Sequence, residues 1–134
     1  MKSRHAAALL PLALIACSTV RTNACPTGSK PATQELIYFG TQTPSGQVTP
    51  EQWAEFVNQV ASPRLPNGFT TWSAFGQWLS AKSGIVREPS YVLNLVHQPG
   101  QAQDAAIDHV IAAYKSKFRQ EAVLRVTSNA CMGL

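Results

Sequence analysis

Leu36-Ile37-Tyr38-Phe39-Gly40 is a short apolar and aromatic run closed by a glycine, and it reads as a buried β-strand. Thr43-Pro44-Ser45-Gly46 follows as a turn cluster. Thr49-Pro50-Glu51-Gln52 then opens a helix. Thr49 caps it, Pro50 takes the first helical position, and Gln52 completes a capping box. Trp53, Phe56, Val57 and Val60 recur at the spacing of one helical face. Pro63 and Pro66 are expected to end this helix, and Asn67-Gly68 to turn the chain.

Further along, Phe69 to Leu79 reads as a second strand, Ser80 to Gly84 as a hairpin loop, and Ile85 to His97 as the returning strand. Pro89 interrupts that strand and predicts a bulge or an edge segment. Tyr91, Leu93 and Leu95 share one face, and Val92, Asn94 and Val96 the other. Ile107, Val110, Ile111, Tyr114 and Phe118 form the apolar stripe of a second helix. Ala122 to Val126 is a last strand, followed by a small polar tail. The order strand, helix, strand, strand, helix, strand predicts a ferredoxin-like α+β sandwich: a four-stranded antiparallel sheet with two helices on one face.

That topology makes the first and last strands antiparallel neighbours. Cys25 precedes the first and Cys131 follows the last, so both fall at one end of the sheet, which supports a Cys25–Cys131 disulfide over two free thiols. Closing a loop of about 100 residues stabilises by up to ~4.7 kcal/mol in the chain-entropy model. No Cys-x-x-Cys is present, so neither a redox motif nor a zinc site has support.

The third cysteine, Cys17, ends a different pattern. Lys2 and Arg4 precede an apolar run from Ala6 to Ala16, and Leu14-Ile15-Ala16-Cys17 matches a bacterial lipoprotein cleavage box. The run falls short of the ~20 apolar residues of a membrane-spanning helix. The expected division is a signal peptide over 1–16, a flexible tether over 17–33 and one domain over 34–134. Lipidation of Cys17 then anchors the protein in the cell envelope. Ser18, rather than aspartate, after the cysteine points to the outer membrane, facing the periplasm. The competing reading is ordinary secretion, with a cut after Thr22-Asn23-Ala24.

The 134 residues carry a formal charge of +4. Two of the 11 Lys and Arg lie in the leader, which leaves nine against 7 acidic residues, too even a balance to argue for nucleic acid. Lys115, Lys117 and Arg119 are the one basic cluster. They fall in the last turn of the second helix, where the helix dipole accounts for them.

Chemistry-bearing motifs are sparse. Glu88 and Glu121 are the candidate acid/base pair, but each lies near a strand start, and these starts are expected at opposite ends of the sheet. Arg87 is expected to pair across the hairpin. His97 and His109 lack ligand spacing, so no metal is expected. There is no Gly-x-Ser-x-Gly, phosphate loop or dinucleotide fingerprint, hence no cofactor and no assigned catalytic residue.

The runs Glu35-Leu36-Ile37-Tyr38-Phe39-Gly40, Pro63-Arg64-Leu65-Pro66-Asn67-Gly68-Phe69-Thr70, Gly76-Gln77-Trp78 and Ile85-Val86-Arg87-Glu88-Pro89-Ser90 occur in this order. With Trp53, Phe56, Tyr114, Phe118, Gln120-Glu121 and Val123, they resemble the bacterial family catalogued as domain of unknown function 3574. The resemblance spans Gln34 to Val126, with Gln34 standing where the family often has Arg. It implies a small secreted or lipid-anchored α+β protein and carries no activity.

The second face of the sheet remains. A mixed apolar and polar open face suggests a partner or a ligand, and a second copy packing sheet to sheet is one occupant. Tyr38, Trp72, Trp78, Asn94, Tyr114 and Arg125 are the candidates for a pocket or partner face. Two functions follow. One is a binding or interaction module on a lipid anchor. The other is a small enzyme resembling the dimeric α/β-barrel monooxygenases, with a pocket between sheet and helices lined by Tyr38, Trp78, Tyr114 and Arg125.

Overall fold

The computed structural model describes residues 24–133. Strand β1 (Lys30–Gly40) leads into a two-rung hairpin, β2 (Gln42–Thr43) and β3 (Gly46–Gln47), built on the expected turn cluster. Helix α1 (Pro50–Phe56) continues through a widened π segment (Val57–Ala61) into α2 (Ser62–Arg64). Then come β4 (Thr70–Ser80), β5 (Gly84–His97), α3 (Gln101–Phe118) and β6 (Leu124–Met132). The long strands form one antiparallel sheet in the order β4-β5-β1-β6. This is the ferredoxin-like α+β arrangement read from the element order. No helix among the described residues is long and apolar enough to cross a membrane.

Local chemistry accounts for the elements. The Thr49 hydroxyl accepts from the Gln52 backbone N–H at 3.2 Å, and the Gln52 side chain accepts from Thr49 N at 2.9 Å, which completes the capping box. The β4–β5 turn is tied by Ser80 Oγ, which accepts from the backbone N–H groups of Lys82 and Ser83. Lys115 and Lys117 lie in the last turn of α3, where positive charge meets the helix carbonyls.

Four expectations need correction. Pro63 does not end the first helix. The Ser62 N–H bonds back to Val57 O, and this wider turn gives a proline ring room that a regular α-turn denies. The stop comes at Leu65, which leaves helical angles just before Pro66. Pro89 makes neither a bulge nor an edge: β5 is central, and Pro89 pairs with Phe75 in unbroken register. Its carbonyl accepts from Thr41 N, so its N also points toward the β1 side, and no β4 hydrogen bond is lost.

The outer strands are also longer than expected. Residues 30–33, assigned to the tether, are strand, and β6 runs through the supposed polar tail to Met132. The reason is mutual pairing, from Lys30↔Met132 to Tyr38↔Leu124. Cys25 and Cys131 are disulfide-bonded at the end of that ladder, with Cα atoms 5.5 Å apart. Finally, β5 and β6 both run antiparallel to β1 and so parallel to each other. Their starts, carrying Glu88 and Glu121, lie at the same end of the sheet, not at opposite ends.

The core lies between the sheet and the helices. Ile37, Phe39, Leu93 and Leu95 project from the sheet onto Trp53, Phe56, Leu65, Ile107, Val110, Tyr114 and Phe118. Ring centroids of Phe39 and Tyr114 are 4.7 Å apart, those of Phe56 and Tyr114 5.1 Å, and Trp53 stacks on Tyr91 at 4.6 Å. Such aromatic pairs contribute about 0.5–1.5 kcal/mol each beyond their buried area.

Candidate functional site

The register sorts the open face into rows. Trp72, Val92, Tyr38 and Leu124 stand side by side across all four strands. The next row holds only Ala74, Ser90 and Gly40, and the one after it Gly76 and Glu88. Trp78 and Val86 then form another row of large side chains. Small residues between two bulky rows leave a trough. The result is a pocket of about 430 Å³, walled by Tyr38, Leu124 and Trp78 and floored by Gly40, Gly76, Ser90 and Glu88. Ala122 and Val123, just before β6, close one side.

Glu88 is the charged group of this pocket, and it is only 4% exposed. Its Oε2 accepts from the Gln42 backbone N–H at 2.6 Å, and its Oε1 accepts from the Trp78 indole N–H at 2.9 Å. Among the described residues no basic side chain forms an ion pair with it. Gly40 makes this placement possible, since a Cβ there would come within 2.6 Å of Glu88 Oε1. Gly76, opposite Glu88 on β4, faces open space: a Cβ there meets only Ser90 Oγ, at 3.9 Å. Tyr114 holds the rim from behind, its hydroxyl donating to Gly40 O at 2.8 Å. Burial, with the negative charge of Glu88 adding to it, raises the Tyr114 hydroxyl well above its ordinary value, so it stays a donor.

A second polar cluster sits on the opposite, helix-covered face. Glu35, fully buried, accepts from Arg125 Nε at 2.9 Å, from Arg125 Nη2 at 2.7 Å and from the Thr127 hydroxyl at 2.8 Å. Asp104 and Asp108 of α3 accept from the same guanidinium at 2.8 and 2.9 Å. Burial pushes the Glu35 carboxyl up. Hydrogen bonds from Arg125 and Thr127, with the charges of Arg125 and His97, outweigh it and leave the carboxyl below its ordinary value. Bonding to Glu35 outweighs desolvation and raises Arg125. His97 Nδ1 donates to Gln98 O at 2.8 Å, which leaves Nε2 without a hydrogen-bond partner, 3.7 Å from Glu35 Oε1. Ligand atoms of Glu35, His97 and Asp104 lie within 4.8 Å of one another. Arg125 Nη2 bridges both carboxylates there and supplies the positive charge a metal would otherwise bring.

The candidates from sequence divide accordingly. Tyr38 and Trp78 line the pocket, and Trp72 lies exposed on the same face. Asn94 is also on that face, its side chain accepting from Gln34 Nε2 at 2.9 Å. Tyr114 and Arg125 are not on it. Tyr114 belongs to the core, and Arg125 faces α3 because β6 alternates with Leu124 and Val126 outward. The expected place for a cavity is the space between sheet and helices. That space is filled by the Phe39, Trp53, Phe56, Tyr114 and Phe118 rings, and the pocket lies on the other side of the sheet. Cys17 falls outside the described residues.

Glu121 accepts from the Ser80 hydroxyl at 3.0 Å and from Ala81 N at 3.3 Å, so it braces the hairpin turn. It shares with Glu88 a second cleft on the far side of Trp78, where Lys82 and Arg119 also lie. Arg87 stands exposed opposite neutral Gln77 and makes no ion pair among the described residues. His109 is exposed on α3. The sequence displays Glu88 but not its importance. The signal that would have revealed it is the register partner Gly76 and the neighbour Gly40, two strand glycines beside one acid.

Solved structures share this fold. A phage SAM lyase in complex with S-methyl-5'-thioadenosine superposes with a TM-score of 0.58 at 12% identity, over 84% of this chain and 95% of that one. A phage SAM lyase in the apo state gives 0.54 at 12%, over 80% and 91%. At this identity the likeness is one of fold. No curated protein sequence matches the chain. The sequence profile of the family described as protein of unknown function DUF3574 matches residues 34–134, nearly the whole described domain. The chain is a member of the DUF3574 family.

Proposed function

We propose that this protein is a lipid-anchored module of the bacterial cell envelope that binds a small ligand in the open-face pocket. The pocket carries the reading. It combines apolar walls with one buried, convergent carboxylate and two glycines that keep the floor clear, the usual make-up of a small-ligand site. The anchor rests on Leu14-Ile15-Ala16-Cys17, and the Cys25–Cys131 bridge suits an oxidising compartment such as the periplasm. The phage lyase bound to S-methyl-5'-thioadenosine is an instance of this fold holding a small molecule, without residues to carry across at 12% identity.

Two experiments test the proposal. A thermal-shift screen of small molecules is run on the soluble domain and on Gly76→Leu, whose side chain fills the trough. Compounds that raise the Tm of the parent but not of the variant support the pocket, and a screen in which none discriminates refutes it. Mass spectrometry of the mature amino terminus tests the anchor. A diacylated or triacylated Cys17 in the outer-membrane fraction is expected, and an unacylated chain beginning at Cys25 overturns it.

A second copy on the same face is the other reading. Trp72 on one edge strand and Leu124 and Val126 on the other are 44%, 59% and 42% exposed there, apolar residues that sheet-to-sheet packing would cover. Light scattering of the eluting protein decides it. A dimer that Trp72→Glu converts to monomer supports it, and a monomeric parent removes it.

A further inference from the structure

We infer that the pocket's ligand is an organic cation, an ammonium or similar positive group on an apolar or aromatic body, with Glu88 as its counter-ion. The inference rests on the pocket being the binding site and adds the ligand's chemical class.

Glu88 is out of balance with its surroundings. It is 4% exposed, yet both of its hydrogen bonds come from neutral donors, the Gln42 amide and the Trp78 indole. The other buried acid of the domain, Glu35, shows how this sequence treats a carboxylate that serves the fold. It is met by Arg125, which is itself shared with Asp104 and Asp108. Glu88 has no such cation among the described residues, and a buried charge left unpaired is costly. Carboxylate oxygens offer about four acceptor sites, and two are taken. The carboxylate lines the trough walled by Tyr38, Trp78 and Leu124, where a ligand can reach it.

The walls narrow the class further. A hard metal ion asks for several oxygen ligands, and this pocket offers one carboxylate, with the Ser90 hydroxyl nearby, in otherwise apolar surroundings. Tyr38 and Trp78 are aromatic, and aromatic side chains beside a carboxylate suit an organic cation with an apolar body. An anionic ligand would meet Glu88 with like charge. Lys82 and Arg119 line the neighbouring cleft beyond Trp78 and do not pair with Glu88.

The test uses three probes of similar shape and different charge: 2-phenylethylammonium, 3-phenyl-1-propanol and 3-phenylpropionate. Each is titrated into the ¹⁵N-labelled soluble domain, with the Trp78 indole N–H resonance as the reporter. The expected result is saturable binding of the ammonium, no measurable binding of the carboxylate, and a loss of ammonium affinity of at least about tenfold in Glu88→Gln, the scale of one charged hydrogen bond. Gly76→Leu, which leaves Glu88 untouched, is expected to abolish binding and covers the case in which Glu88→Gln does not fold. If the alcohol or the carboxylate binds as well as the ammonium, and Gly76→Leu still blocks it, the charge inference is overturned while the pocket survives. If no probe moves the Trp78 signal, both are overturned.

Discussion

Gly40 lies against the carboxylate of Glu88 so closely that a Cβ at residue 40 would stand 2.6 Å from Glu88 Oε1. The two residues come from different strands, and neither explains the other in sequence. Gly40 closes β1, and Glu88 lies early in β5. Together they set the depth of the pocket.

Gly40→Ala is therefore expected to push the carboxylate off Gln42 and Trp78. A destabilisation of about 1–3 kcal/mol follows, the range for overpacking a filled site. Gly76→Ala, whose Cβ meets only Ser90 Oγ at 3.9 Å, is expected to change stability by less than about 1 kcal/mol. Urea denaturation of the pair checks this, and equal effects would contradict it.

Tyr114→Phe removes the hydroxyl that donates to Gly40 O while keeping the ring in the core. The expected cost is about 1–2 kcal/mol, one buried hydrogen bond with its acceptor left unpaired. Chemical denaturation gives the value, and a change near zero would show that another donor replaces the hydroxyl.

Arg125→Met leaves Glu35 buried without its main cation. A loss of about 3–5 kcal/mol near neutral pH is expected. The pH dependence distinguishes charge from packing. The folded Glu35 carboxyl is held below its ordinary value of 4.5, so its stabilising contribution is complete above that value and fades as pH falls through the folded value. In the variant, burial is expected to outweigh the remaining Thr127 bond and raise the carboxyl, so that acid restores stability by protonating it. The gap between parent and variant should shrink from about pH 7 to about pH 4, and a constant gap would assign the effect to packing.

Cys25→Ser with Cys131→Ser opens a bridge between residues 106 apart in sequence. A loss of about 2–5 kcal/mol is expected, mostly through a freer unfolded chain. The β1–β6 ladder should persist, because it is paired over nine residues of each strand. Thermal denaturation with far-ultraviolet circular dichroism reads both effects.

Arg119 terminates α3 with φ of 53°, a left-handed position. Arg119→Gly is expected to stabilise by about 0.5–1 kcal/mol, because glycine lacks the Cβ penalty there. A lower Tm in the variant would show that the arginine side chain contributes more than its backbone costs.

The helices and strands, and the order that makes the sandwich, are legible in the sequence because they depend on local patterns. The Thr49-Pro50-Glu51-Gln52 cap, the stripe from Ile107 to Phe118 and the alternation from Tyr91 to Val96 each carry their own periodicity. The Cys25–Cys131 pairing follows from that order. Arg125 is misplaced by a sequence reading because β6 inverts the usual rule. Its apolar Leu124 and Val126 face outward, and its charged residue faces the helices, where Glu35 waits on the next strand. Pro89 misleads because the harm a proline does depends on which neighbour its nitrogen faces. Glu88 and Glu121 are expected at opposite ends only through an error of strand direction, not for want of sequence.

By itself, then, the sequence determined the architecture of this protein and the cysteine pair that closes it, since periodicity and end signals act within a few residues. Tertiary structure decided the site. The row of Ala74, Ser90 and Gly40, the Gly76–Glu88 pair beside it and the aromatic walls come from three strands whose register only pairing sets. A shift of one residue would have moved every one of them to the other face of the sheet.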